Sequence, residues 1–231
     1  MPNPKNYLQR SLTMREAAVV VLVLVALAGA GYFAYLLIAA KLLEARVNEA
    51  MPRVCTDIRV QRQKLVNAIE AYQAHFGFYP PDHVLSRQPL VVDAVTNWLM
   101  YELAGVTYNS TNRCYQLGRM EAADAKYVKD FFQCDGFKNC DENGRSVTRF
   151  LPPPPGGDMA IRQFHDDPDV YVLGCNISDA TIPAEVVWEF DFSSWRYVAS
   201  SPTNNPGKFD LWVEVQTKNR SVTIGNWKSA D

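Results

Sequence analysis

Few residues in this chain have the type and spacing to do chemistry. The first is Glu16, a carboxylate at the threshold of an uncharged apolar run of 24 residues, Ala17 to Ala40. A carboxylate at the mouth of an apolar helix is costly unless it lies at the water interface or meets a partner. Glu16 is therefore either an interfacial residue favoured by a helix N-terminus or a group with a task. The second set is five cysteines, Cys55, Cys114, Cys134, Cys140 and Cys175. In an oxidising compartment Cys134 and Cys140 can close the short loop CDGFKNC and Cys114 can pair with Cys175, leaving Cys55 as the odd thiol. Spacing alone does not fix that connectivity, and a four-cysteine zinc site is disfavoured because no CxxC pair occurs.

Three histidines complete the inventory. His75 falls near the end of a predicted helix, where a cation suits the dipole. His83 follows a Pro-Pro-Asp turn. His165 precedes Asp166, Asp167 and Asp169, but Pro168 and the acidic run suit an exposed turn better than a metal centre. No GxSxG, HExxH or phosphate-loop pattern is present. The expectation is a protein that is not an enzyme, with no catalytic residue, metal or cofactor.

The elements around these residues follow from periodicity. A run of 24 residues reaches about 36 Å as a helix, enough to cross a hydrocarbon core of about 30 Å. It exceeds the core of a signal peptide, and no small-x-small cleavage pattern follows it. Lys5, Arg10 and Arg15 precede the run. Lys41 and Arg46 follow it interspersed with Glu44 and Glu49, so the N-terminus is expected on the cytoplasmic side and the remainder in the periplasm. Apolar residues then continue at helical spacing as Leu43, Val47, Met51, Val54, Ile58, Leu65, Ile69, Tyr72 and Phe76, interrupted once by Gln61 and Arg62. One helix from about Thr13 to Phe76 is predicted, kinked at Pro52 and ended by Gly77 and Pro80-Pro81.

A second helix is expected in PLVVDAVTNWLMYELAGV, with Leu90, Val91, Val95, Trp98, Leu99 and Leu103 on one face and Gly105 as its cap. From Thr107 to about Arg149 the pattern is mixed, with one short helix in EAADAKYVKDFF. LPPPPGG is a spacer. The last third reads as strands: VYVLGC, EVVWEFDF, SWRYVA, FDLWVEVQ and SVTIGNW, rich in β-branched and aromatic residues whose Trp and Tyr side chains are expected in the core. The predicted architecture is α+β, a long kinked N-terminal helix packed on a small C-terminal antiparallel sheet. A net charge of −2 over 231 residues gives no basic face for nucleic acid.

Two stretches carry a family resemblance. SLTMREAAVVVLVLVALA resembles a type IV prepilin N-terminus, with a short basic leader, a peptidase site, and Glu as the fifth residue of the mature chain. AIEAYQAHFGFYPPD, WRYVASSPTNNPGKFDLW and TIGNW are similar to the helix end and C-terminal sheet of type II secretion pseudopilins of the major, G-like type. The resemblance covers both ends of the chain. About 107–180 lies outside it and reads as an insertion.

The resemblance implies a pilin-like fold and a domain plan: leader 1–11, membrane helix 12–40, amphipathic continuation 41–76, and periplasmic globular domain 77–231. It implies cleavage by prepilin peptidase between Ser11 and Leu12, although the family usually has Gly where Ser11 stands. It further implies N-methylation of Leu12 and assembly through Glu16, whose carboxylate would meet the amino group of Leu12 on a neighbouring subunit. Implied partners are other pilin or pseudopilin subunits, the same chain and minor ones, and an inner-membrane assembly platform with its ATPase. Such filaments act as pistons in secretion. The G-like family binds Ca²⁺ in an Asp-rich loop, but the corresponding VEVQTKNRSVT has a single carboxylate, Glu214, so no Ca²⁺ is expected there. Asp141 and Glu142 in CDENG are a faint substitute. The competing expectation is a single-pass, membrane-anchored periplasmic binding module that never polymerises.

Overall fold

The computed structural model describes residues 14–82, 98–118, 122–132, 134–142, 146–152, 161–164, 167–175, 177, 181–192 and 194–227. The chain divides into two compact units, Met1–Glu49 and Ala50–Asp231. Helix α1 (Met14–Phe76) contributes to both.

In the first unit α1 carries the apolar run. Each side chain from Arg15 to Ile38 is exposed, including the large apolar residues from Val19 to Ile38. It is a candidate membrane span by length and composition.

In the second unit α1 behaves as an amphipathic core helix. Met51, Val54, Ile58, Leu65, Ile69 and Tyr72 are buried at the predicted spacing. Pro52 lies inside the helix. It removes the helical donor to the Asn48 carbonyl, while the Thr56 hydroxyl donates to the Pro52 carbonyl at 2.8 Å. The polar break in the stripe has a use. Gln61 is buried, and Arg62 Nη1 donates to the Gly225 carbonyl at 2.6 Å, tying helix to C-terminal strand. Gly77, at φ 82°, stops the helix with its N–H on the Gln73 carbonyl.

Helix α2 (Leu99–Ala104) is buried along its whole length and ends at Gly105, φ 73°. The N-terminal part of the expected second helix, with Leu90, Val91 and Val95, lies outside the described residues. The mixed region folds into elements of its own, with the short helix expected in EAADAKYVKDFF present at Ala125–Phe132 and the strand expected in VYVLGC overlapping Asp167–Leu173. β1 (Thr107–Asn109), β2 (Cys114–Gln116) and β3 (Ala123–Asp124) form an antiparallel sheet in that order. Helix α3 (Ala125–Phe132) follows, its Tyr127 N–H capped by the Asp124 carboxylate at 2.8 Å. β4 (Ile161–Phe164) pairs antiparallel with β5 (Asp167–Leu173). Asp167, Pro168 and Asp169 thus open a strand. Asp167 to Asp169 are strand rather than turn because Asp167 pairs with Phe164, and His165 and Asp166 lie outside the described residues.

Helix α4 (Ala184–Val187) replaces the first half of the strand expected in EVVWEFDF, and only β6 (Asp191–Phe192) is extended. Pro183 starts the turn with the φ a helix needs, and the Val186 and Val187 N–H groups bond to its carbonyl. That local closure overrides the β-branched composition. β7 (Arg196–Val198), β8 (Asp210–Thr217) and β9 (Arg220–Gly225) complete a four-stranded antiparallel sheet. β9 runs along one edge of β8, while β7 and β6 share the other, pairing with its first and last residues. Leu211, Val213 and Val215 are buried and Trp212 and Glu214 are half-exposed, the alternation of a one-sided sheet. The coarse architecture is α+β: a long apolar N-terminal helix and small antiparallel sheets.

Candidate functional site

Glu16 lies in the first turn of α1 and is exposed. There a negative charge complements the free N–H groups of the helix end. Immediately after it comes the exposed apolar run. Leaving that surface in water is unfavourable by roughly 25 cal/mol per Å², which fits its standing as a candidate membrane span. Ser11 and Leu12 lie outside the described residues.

The C-terminal stretch that carries the resemblance is organised by two carboxylates. Asp210 is buried at the start of β8. Its oxygens accept from the Thr203, Asn204 and Asn205 N–H groups at 2.7, 2.8 and 2.8 Å, and from both asparagine side-chain amides at 3.1 Å. One side chain therefore shapes the whole TNNPGK turn. Asn226 secures the other end, donating to the Phe209 carbonyl and accepting from Leu211 N–H, both at 2.9 Å. Asp82, just past the helix end, accepts from Ala199 N–H, Ser200 N–H and the Ser200 hydroxyl at 2.8, 3.0 and 2.9 Å. The buried Tyr197 hydroxyl donates to the Pro80 carbonyl at 3.0 Å. The PPD motif thus pins the end of the helix to the sheet.

VEVQTKNRSVT is the β8–β9 hairpin, and its Glu214 is paired with Arg196 at 2.8 Å. Asp141 accepts from Tyr108 N–H, and Glu142 meets Lys129 at 3.4 Å and the Tyr115 hydroxyl at 3.4 Å. Among the described residues no group of three or more His, Cys, Asp or Glu is placed to hold a metal.

Sequence reasoning missed Glu102. This carboxylate is fully buried in α2. It accepts from the Tyr72 hydroxyl at 2.9 Å, Lys138 N–H at 2.8 Å and Asn139 N–H at 3.0 Å. Burial pushes its pKa up, and the three donors, with the Lys138 charge, work against that rise. Burial and the neighbouring carboxylate together drive the Tyr72 hydroxyl well above its usual range. The available signal was a single charge inside the apolar WLMYELAGV. Such a charge is almost never fully buried without partners.

All five cysteines are thiols here, so neither expected pairing is formed. The Cys114 thiol, half-buried at the start of β2, donates to the Asn112 carbonyl at 3.4 Å. Burial raises the Cys175 thiol to about 12. Cys134 and Cys140 stand at the two ends of one loop, the first half-buried and the second buried. Cys55 is buried on α1.

No known family, curated protein or solved structure matches the chain.

The remaining predicted residues fall as follows. His75 is exposed at the helix end, edge-on to Phe76 and Phe150, with its ring nitrogen 3.3 Å from the Thr148 hydroxyl. His83 and His165 lie outside the described residues. Trp195 and Tyr197 are core, as expected. Trp188 is not: it is 83% exposed because its segment is a helical turn rather than a strand.

Proposed function

We propose that this chain is a structural subunit of a type II secretion pseudopilus or type IV pilus-like filament, anchored in the inner membrane before assembly. The observation that supports this most is the uncovered apolar stretch of α1 with Glu16 in its first turn. In this reading prepilin peptidase cuts between Ser11 and Leu12, and the new N-terminus is methylated. The N-terminus lies on the cytoplasmic side and the second unit in the periplasm until an assembly platform draws the subunit into a filament with its own copies and minor subunits.

The physical role of Glu16 follows from solvation. Carrying a carboxylate into a bundle of apolar helices is unfavourable without a cation beside it. The amino group of Leu12 on a neighbouring subunit supplies that cation. Removing one member of such a buried pair costs about 3–5 kcal/mol, enough to enforce subunit register.

The test is Glu16→Ala in the native host. Membrane insertion is expected to be unchanged, while sheared filaments fall at least tenfold. The mature chain is expected to begin at methylated Leu12 by intact-protein mass. Wild-type filament yield from the variant would refute the assembly role, and a chain beginning at Met1 would refute the processing step.

A further inference from the structure

The loop CDGFKNC is held at its centre and at both ends. Phe137 stacks on Tyr101 with ring centres 4.8 Å apart and planes 8° from parallel. Lys138 and Asn139 present their N–H groups to the two oxygens of Glu102. The Asn139 side-chain amide donates to the Glu102 carbonyl at 2.7 Å and to the Thr148 carbonyl. At one end Cys134 N–H donates to the Lys129 carbonyl at 3.0 Å. At the other, Val106 N–H bonds to the Asn139 carbonyl and Asp141 N–H to the Val106 carbonyl, clasping Cys140 on both sides. The Lys129–Glu142 ion pair then brings the two ends together.

The Tyr115 ring lies edge-on to Phe137 with centres 5.1 Å apart, and its hydroxyl meets Glu142 at 3.4 Å. A Cβ on Gly136 would lie 3.4 Å from the Tyr115 hydroxyl and 3.5 Å from Glu142 Oε2. The chain just after Cys134 and the chain just after Cys140 therefore meet at the Tyr115 hydroxyl.

We propose that Cys134 and Cys140 form a redox pair that closes to a disulfide by exchange with an external disulfide, locking the Lys138–Asn139 clamp on Glu102. Cys134 is half-exposed and Cys140 buried, which sets the order. The Cys134 thiolate attacks one sulfur of the donor disulfide and expels the first donor thiolate. The Cys140 thiolate then attacks the Cys134 sulfur of that mixed disulfide and expels the second. The chain loses two protons and two electrons, and the donor disulfide becomes two thiols. Burial holds Cys140 at about 11, so the second step is slow near neutral pH and faster in mild alkali.

The test uses the full chain in detergent, equilibrated with oxidised and reduced glutathione at about pH 8 to populate thiolates. Remaining thiols are trapped with maleimide and mapped by peptide mass. The expected result is loss of two of the five thiols as a single Cys134–Cys140 linked peptide. Amide exchange at Lys138 and Asn139 should slow at least tenfold, and the oxidised chain should melt about 5 °C higher than the reduced one. Stable glutathione adducts, links to another cysteine, or five labelled thiols under oxidising conditions would each overturn the pairing. A link that leaves exchange at 138–139 unchanged would overturn the locking. Cys134→Ser and Cys140→Ser should each abolish the link, and the wild-type measurement stands alone if either fails to fold. None of these readouts depends on filament assembly, so the two proposals fail separately.

Discussion

Glu102→Ala is the most severe single perturbation the geometry offers in the second unit. It strands three donors at once, the buried Tyr72 hydroxyl and Asn139 N–H and the part-buried Lys138 N–H. Each unmade buried bond costs about 1–3 kcal/mol, and the vacated side-chain volume adds to that. Relief of the desolvation that raises the Glu102 pKa offsets part of the loss. The net expectation is about 3–5 kcal/mol, a fall of roughly 6–15 °C for a folded unit of this size. Glu102→Gln keeps the shape but turns an amide toward one of the donors, so about 1–2 kcal/mol is expected.

Equilibrium urea denaturation of the detergent-solubilised chain, followed by aromatic fluorescence, measures both variants. The same carboxylate gives a pH signature. Its folded pKa lies above the unfolded value of 4.5. Its contribution is therefore fully present below 4.5 and is lost as pH rises through the folded value. The wild type should gain stability relative to Glu102→Gln on acidification from pH 7 toward that window. A loss below about 1 kcal/mol for Glu102→Ala, or a wild-type-minus-Gln difference that moves the other way with pH, would refute the account of Glu102 as a satisfied but desolvated carboxylate.

Two further outcomes follow from single residues. Asp210→Ala should cost about 2–4 kcal/mol and release amide exchange at Thr203, Asn204 and Asn205, whose N–H groups it accepts; unchanged exchange there would show the turn to be self-supporting. Gly105→Ala should destabilise by at least about 2 kcal/mol, since its φ is 73° and a Cβ would lie 2.0 Å from Val147 Cγ1; a neutral variant in thermal melts would contradict that packing.

Much of the fold was readable where a periodic pattern and a local stop signal agree. The stripe from Met51 to Tyr72, the Gly77 stop, the Gly105 cap and the alternation along β8 are properties of consecutive residues, and they fold as their spacing dictates. EVVWEFDF misled because strand composition lost to the turn that Pro183 begins. About 107–149 was largely opaque because its strands are two or three residues long, too short for alternation to register.

By itself the sequence determined the long helix, its apolar N-terminal stretch with Glu16 ahead of it, and the strand-rich C-terminal third. Only the tertiary structure decided that Glu102, Asp82 and Asp210 are the polar fasteners of the second unit, and that Gly136 and Glu142, each two residues beyond a cysteine of CDGFKNC, meet at Tyr115. The partners of Glu102 lie 30, 36 and 37 positions away. Whether a carboxylate is a solvated surface charge or a buried clamp depends on which donors the fold brings to it. Hydrophobic periodicity is local and survives in the one-dimensional pattern; hydrogen-bond satisfaction is set by chain segments that meet only in space.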